Sequence, residues 1–298
     1  MHRRVAVVGI DEGATAEPVA DFAVELARTI GYSLRFVHAG EAVPDASDPL
    51  PAGAQRLRER VQERAERARL ALQQSVERAR TAGVESEGVQ RTGRAPDVLM
   101  AEARTCGAEL LVVGRAGAHG ARILGSTTDR VLREAPCPVL VAADGAPEAT
   151  AHLRRWLVAH DFTHASDAAW EFALRYRREG GVEPWVAHVV PPPAGEAVEQ
   201  GLPSLAQATR ARMREDAAAK LREVAPGLPA TAYLVVESSD VADGLVEAAR
   251  AHEAGLVVVG SHGRSRLGRI WLGSVAERLA AGPWPLLVVR ASARGGGP

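Results

Sequence analysis

Fifteen residues near the end of the chain carry the most chemistry: Gly260-Ser-His-Gly263-Arg264-Ser-Arg-Leu-Gly-Arg-Ile-Trp-Leu-Gly273-Ser274. They follow the apolar run Leu256-Val-Val-Val259 and lead into a helix-like segment beginning at Val275. A buried strand therefore runs into a glycine-hinged loop that ends at a helix start. A phosphate requires this arrangement: backbone N–H groups bared by glycine and a helix N-terminus aimed at the anion. A shorter version follows Leu110-Leu-Val-Val113, with Gly114, Gly117, Gly125 and Ser126 in the corresponding places. Nine residues separate Gly263 from Gly273, but only seven separate Gly117 from Gly125. Gly120 adds a further hinge to the shorter loop.

These loops need strands to carry them, and the strands recur. Val5-Ala-Val-Val-Gly-Ile-Asp11 matches Trp156-Leu-Val-Ala-His-Asp161, and Leu34-Arg-Phe-Val-His38-Ala39 matches Trp185-Val-Ala-His188-Val189. Pro136-Cys-Pro-Val-Leu-Val matches Pro283-Trp-Pro-Leu-Leu-Val. Such order-preserving repetition predicts one fold used twice, with domains at 1–146 and 151–298 and a breaker-rich link between them. Each half reads as five short, continuously apolar strands alternating with amphipathic helices. That is the pattern of a doubly wound α/β domain whose parallel sheet is covered on both faces. Leu57, Val61, Ala65, Ala68, Leu72, Val76 and Ala79 mark the buried face of one long helix, and its Arg/Glu-rich remainder reads as solvated. In such a sheet the ligand site lies beyond the carboxyl ends of the strands. Asp11 and Asp161 end the first strands there, Ala39 and Val189 close the second, and the glycine loops leave the fourth.

Composition removes several function classes. A formal net charge of −1 and 4% aromatics give no electrostatic footprint for nucleic acid and no stacking platform. The chain has one lysine, Lys220, so there is no P-loop lysine. Cys106 and Cys137 form no CxxC pair or zinc spacing and read as reduced thiols. No apolar run reaches the roughly eighteen residues of a membrane span, and no secretory signal opens the chain, so a cytoplasmic protein is expected. His160, Asp161 and His164 straddle a strand end and a loop, and no protein-built metal site is expected from them. Ser274-Val-Ala-Glu277 has the spacing of a capping box and Ser126-Thr-Thr-Asp129 is its near relative, so both serines are expected to cap helices whether or not a ligand binds.

Gly260, Gly263, Gly273 and Ser274 meet the Gly-x2-Gly-x9-Gly-Ser spacing of nucleotide-binding universal stress proteins, and the chain resembles that family in its tandem form. The resemblance implies two adenine nucleotide alpha hydrolase-like domains, each with a five-stranded parallel sheet. It implies that their last strands, around Val139-Leu-Val141 and Leu286-Leu-Val-Val289, pair as an intramolecular pseudo-dimer. It implies ATP, or ADP or AMP, as ligand; a magnesium ion would bridge the phosphates, since magnesium keeps its waters and uses substrate oxygens. Asp161 and Val189 would hold adenine; Ala159, Val259 and Gly260 would border the ribose; Gly263, Gly273, Ser274 and Val275 would border the phosphates, and by charge alone Arg264 is the loop cation expected to touch a phosphate. Asp11, Ala39, Gly114, Gly117, Gly125 and Ser126 are the first-half counterparts, with the loop two residues short. The expected role is stress-response regulation through an unidentified protein partner, with further self-association open. No catalytic residue is assigned, because no general base stands beside the loop. A very slow ATPase or self-phosphorylating enzyme is one alternative, and an interaction module with degenerate sites is another.

Overall fold

The computed structural model describes residues 4–41, 55–115, 124–142, 150–192, 203–261 and 272–290, the side chains of 203–206 excepted. It divides into two compact units, Met1–Gly145 and Ala146–Pro298.

In the first unit the elements run β1 (Val5–Gly9), α1 (Ala16–Ile30), β2 (Ser33–Gly40), α2 (Gln55–Thr81), β3 (Ser86–Thr92), α3 (Ala95–Thr105), β4 (Leu110–Gly114), α4 (Ser126–Glu134) and β5 (Val139–Ala142). The strands lie side by side as β3-β2-β1-β4-β5. Every pairing is parallel: Val7 stands opposite Arg35 and Leu111, Val37 opposite Val89, and Val112 opposite Leu140. Continuous apolar runs suit the central strands because both faces are covered; Val7, Val8, Leu111 and Leu140 are all at most 1% exposed. Helices α1 and α2 pack on one another, as do α3 and α4.

The second unit repeats the order as β6 (Arg155–Ala159), α5 (His164–Arg178), β7 (Glu183–Val190), α6 (Pro203–Val224), β8 (Tyr233–Glu237), α7 (Val241–Ala251), β9 (Leu256–Gly260), α8 (Ser274–Ala280) and β10 (Leu286–Val289). Its strands lie as β8-β7-β6-β9-β10, again all parallel. In both sheets the chain leaves the first strand in one direction and returns on its other side. The crevice at the carboxyl ends of β1 and β4, or of β6 and β9, is therefore the topological switch point.

Helix termini follow local chemistry. Gly31 closes α1 at φ 76° and sends its N–H to the Ala27 carbonyl, a left-handed stop that a Cβ would strain. The long helix α2 buries Val61, Ala68, Leu72 and Ala79 as its apolar spacing requires, but leaves Leu57 in solvent. The expected capping boxes are corrected. Ser126 and Ser274 are the first helical residues; Gly125 and Gly273 take the cap positions in extended conformation, and neither supplies a side-chain hydrogen bond. A serine already inside the helix cannot fold back onto the N–H groups of its own first turn, so these ends carry no side-chain cap. The capping box in the second unit lies elsewhere, between Thr163 and Ser166 at the start of α5.

Candidate functional site

Each first strand ends in an aspartate that organises the turn after it. Oδ1 of Asp11 accepts the Gly13 N–H at 3.0 Å, and Oδ2 accepts the Thr15 hydroxyl at 2.8 Å. Oδ1 of Asp161 accepts both the N–H of Thr163 at 3.2 Å and its hydroxyl at 2.6 Å. Burial raises the Asp161 pKa, but donation from Thr163 and Ser166 outweighs it and holds the carboxyl below its ordinary value. Both aspartates are thus acceptors facing the rim, as an anionic side chain with only lone pairs must be.

The histidines near the ends of the second strands tie them to the first. His38 Nδ1 donates to the Ile10 carbonyl at 2.9 Å, and His188 Nδ1 donates to the His160 carbonyl at 2.7 Å. A carbonyl can only accept, so each Nδ1 carries a proton. Ala39 and Val189 follow at the half-buried strand ends.

The fourth-strand loops begin at Gly114 and Gly260. In the first unit the loop is closed by the Gly125 N–H donating to the Arg115 carbonyl at 3.0 Å. The Thr128 hydroxyl donates to the Gly114 carbonyl at 2.7 Å, so the start of α4 is held against the end of β4. Gly117, Gly263 and Arg264 lie outside the described residues. Ala159, Val259 and Gly260 end their strands, and Gly273, Ser274 and Val275 open α8.

The two crevices differ at the first turn. Four residues, Glu12 to Thr15, connect Asp11 to α1, whereas two, Phe162 and Thr163, connect Asp161 to α5. The shorter turn forces Phe162 to φ 63°, a left-handed conformation costly for a bulky side chain. It also draws α5 onto the end of β9: a Cβ on Gly260 would stand 2.1 Å from the Ala165 carbonyl oxygen. At Gly114 the corresponding neighbour is the far end of Val19, at 3.1 Å. The first crevice holds a cleft of about 360 Å³. Asp11, Ala39, Gly114, Gly125 and Ser126 all line it, joined by Thr15, Val19, Arg64 and Leu99. The structure therefore brings together all the described first-half site residues.

Arg64 and Thr15 were invisible to spacing arguments. Arg64 lies on the charged side of α2, where its Nε bonds Glu12 Oε1 at 2.7 Å. That bond, after burial has raised it, lowers the Glu12 pKa below its ordinary value. The length difference between the two aspartate turns could have been counted from the repeat itself. His160 Nδ1 accepts the Phe162 N–H at 3.1 Å, while its buried Nε2 lies 3.3 Å from Asp167 Oδ1 but outside hydrogen-bond geometry.

The model of the universal stress protein family matches residues 2–143 and 152–290, nearly the whole chain and twice over. The chain belongs to the universal stress protein family. A universal stress protein of Mycolicibacterium smegmatis is 33% identical over 196 residues, which span 61% of this chain and 62% of that protein. Among solved structures, a universal stress protein of Archaeoglobus fulgidus is 18% identical, with a TM-score of 0.67 and coverage of 98% of this chain and all of that one. Another Archaeoglobus fulgidus universal stress protein, solved in complex with dAMP, aligns with 46% of this chain and 95% of its own at 23% identity and a TM-score of 0.33. Family membership accounts for the doubled sheet and the crevice at each switch point. Among the described residues, no helix is long and apolar enough to cross a membrane.

Proposed function

We propose that this chain binds an adenine nucleotide, ATP or its ADP or AMP forms, with magnesium on the phosphates, and acts as a cytoplasmic stress-response regulator through a protein partner. The observation that carries this reading is the first crevice. It is a cleft of about 360 Å³ at the switch point, with Asp11 on one side and the uncapped start of α4 at Gly125 and Ser126 on the other. That volume suits a small ligand, and the helix end supplies N–H donors and positive partial charge for its phosphate. Ala39 would border the base, and Gly114 and Gly117 the sugar and phosphates.

The second unit has the full Gly-x2-Gly-x9-Gly-Ser spacing, which supports a second site at Ala159, Asp161, Val189, Val259, Gly260, Gly263, Arg264, Gly273, Ser274 and Val275. The first is the better supported of the two, because its cleft is lined by described residues whereas Gly263 and Arg264 of the second lie outside them. We also propose that β5 and β10 pair with one another; two fragments, 1–145 and 146–298, that fold but do not associate would refute this.

Nucleotide released on denaturing the purified full chain, identified by mass spectrometry, tests the reading together with calorimetry against ATP and magnesium. Release or a binding isotherm, weakened in Asp11→Ala, is the expected result. No release and no heat at millimolar ATP would end it.

A further inference from the structure

The first cleft has one cation among the described residues that line it, Arg64 of α2. Arg64 also borders a smaller cavity of about 20 Å³ with Glu12, His38, Gly40 and Gln90, at the ends of β2 and β3. Strands β2 and β4 flank β1 on opposite sides, so Arg64 and the start of α4 stand at opposite ends of the cleft. A phosphate at α4 already meets N–H donors. The guanidinium is left facing the other end of a nucleotide, where the base would lie.

The guanidinium is not locked in place. It is 53% exposed, bonded to Glu12 and 3.7 Å from Glu41. An ion pair half in water exchanges partners readily. Its planar, weakly hydrated group is suited to lying over a flat ring.

The second unit places a ring, a histidine and a cation together from its own side chains. The ring of Phe162, which follows the strand-end aspartate, packs on His188 with centroids 4.5 Å apart. The Lys220 ammonium lies 5.5 Å from the same ring. In the first unit the residue after the aspartate is Glu12, with no ring to offer, while the histidine and a cation remain beside an open cleft.

We propose that Arg64 is a specificity residue of the first crevice, leaving Glu12 to lie over the base of the bound nucleotide beside His38. The proposal rests on the reading of that crevice as a nucleotide site. Calorimetric titration of the full chain with ATP, at about 50 and about 300 mM salt, tests it in wild type, Glu12→Gln, Glu12→Gln/Arg64→Ala and Glu12→Gln/Arg64→Lys. Glu12→Gln removes the competing carboxylate and should tighten ATP. Adding Arg64→Ala to it should weaken ATP about tenfold at both salt concentrations, as loss of a contact stack does. Arg64→Lys should recover part of the loss and, as the gentler change, guards against a folding defect in the alanine variant. A loss that disappears at high salt would mean that Arg64 attracts phosphate at a distance, and would overturn the assignment. So would unchanged affinity in both Arg64 variants. Wild type that binds no ATP would refute the nucleotide reading itself, whereas wild type that binds while the variants match their parent refutes only Arg64.

Discussion

Gly260 and Gly114 occupy equivalent places and face unequal demands. A Cβ at Gly260 meets a backbone carbonyl at 2.1 Å, which cannot swing aside. Gly260→Ala is therefore expected to destabilise its unit by about 1–3 kcal/mol, the usual cost of overpacking, measured as a shift of the urea midpoint. At Gly114 the obstacle is a valine methyl at 3.1 Å, so Gly114→Ala should cost less stability while crowding the cleft and weakening ATP. His160 gives a pH signature. Burial is the largest influence on it and lowers its pKa from 6.5, against the raising effect of Asp167 and Asp161. The folded state thus resists a proton that the unfolded chain accepts, so this contribution to stability is intact above about pH 6.5 and lost as pH falls below it. Urea midpoints of wild type should drop between about pH 7 and pH 5.5, and His160→Gln should flatten that fall; an equal fall in both would refute the assignment.

At the scale of elements, the aspartate turn sets how closely the next helix approaches the fourth strand. Replacing Phe162-Thr163 by Glu-Gly-Ala-Thr, the sequence of the first turn, should release the left-handed strain and let α5 withdraw from β9. Equilibrium dialysis with labelled ATP should then show more nucleotide bound per chain than in wild type; no gain would mean that the turn does not limit the second crevice. Helix α3 depends on a different device. Its Glu102 is 9% exposed and accepts Arg91 Nε from β3 at 2.6 Å and Arg35 from β2 at 3.2 Å. Both arginines reach solvent, Arg91 over half of it, so Glu102→Ala should cost about 1–3 kcal/mol, below the full penalty of breaking a buried pair, in chemical denaturation. Helix positions were largely legible from spacing: the apolar face of α2 came out as its three- and four-residue steps require. Leu57 departs because it lies in the first turn, where nothing described covers it. Ser126 and Ser274, expected as caps, stand one residue inside their helices. Glycine can hold the cap position, and which residue does so depends on how the loop meets the strand end.

For the whole molecule, two compact units make the link between ligand and stability informative. A ligand that binds only the folded state adds RT ln(1 + [L]/Kd), about 2.7 kcal/mol at a hundredfold excess over Kd. If the first crevice is the main site, ATP should raise the thermal midpoint of a fragment 1–145 more than that of a fragment 146–298, each first shown to be folded by circular dichroism. The reverse order would move the main site to the second unit.

The sequence by itself determined the doubling of the chain, the α/β class, the parallel strands and the rim on which Asp11, Asp161 and the glycine loops stand. Those features follow from period, apolar run length and the punctuation of glycine and proline, all local properties of the chain. Only the tertiary structure decided how closely the helix after each aspartate turn approaches the fourth strand. Loop spacing favoured the second half, because it counts glycines between β9 and α8. The approach of α5 or α1 to the fourth strand depends instead on a turn that is remote in sequence. The same holds for Arg64. On a helical wheel it is one of many solvated arginines, and it becomes a cleft residue only because α2 packs beside the end of β2 and its side chain reaches Glu12.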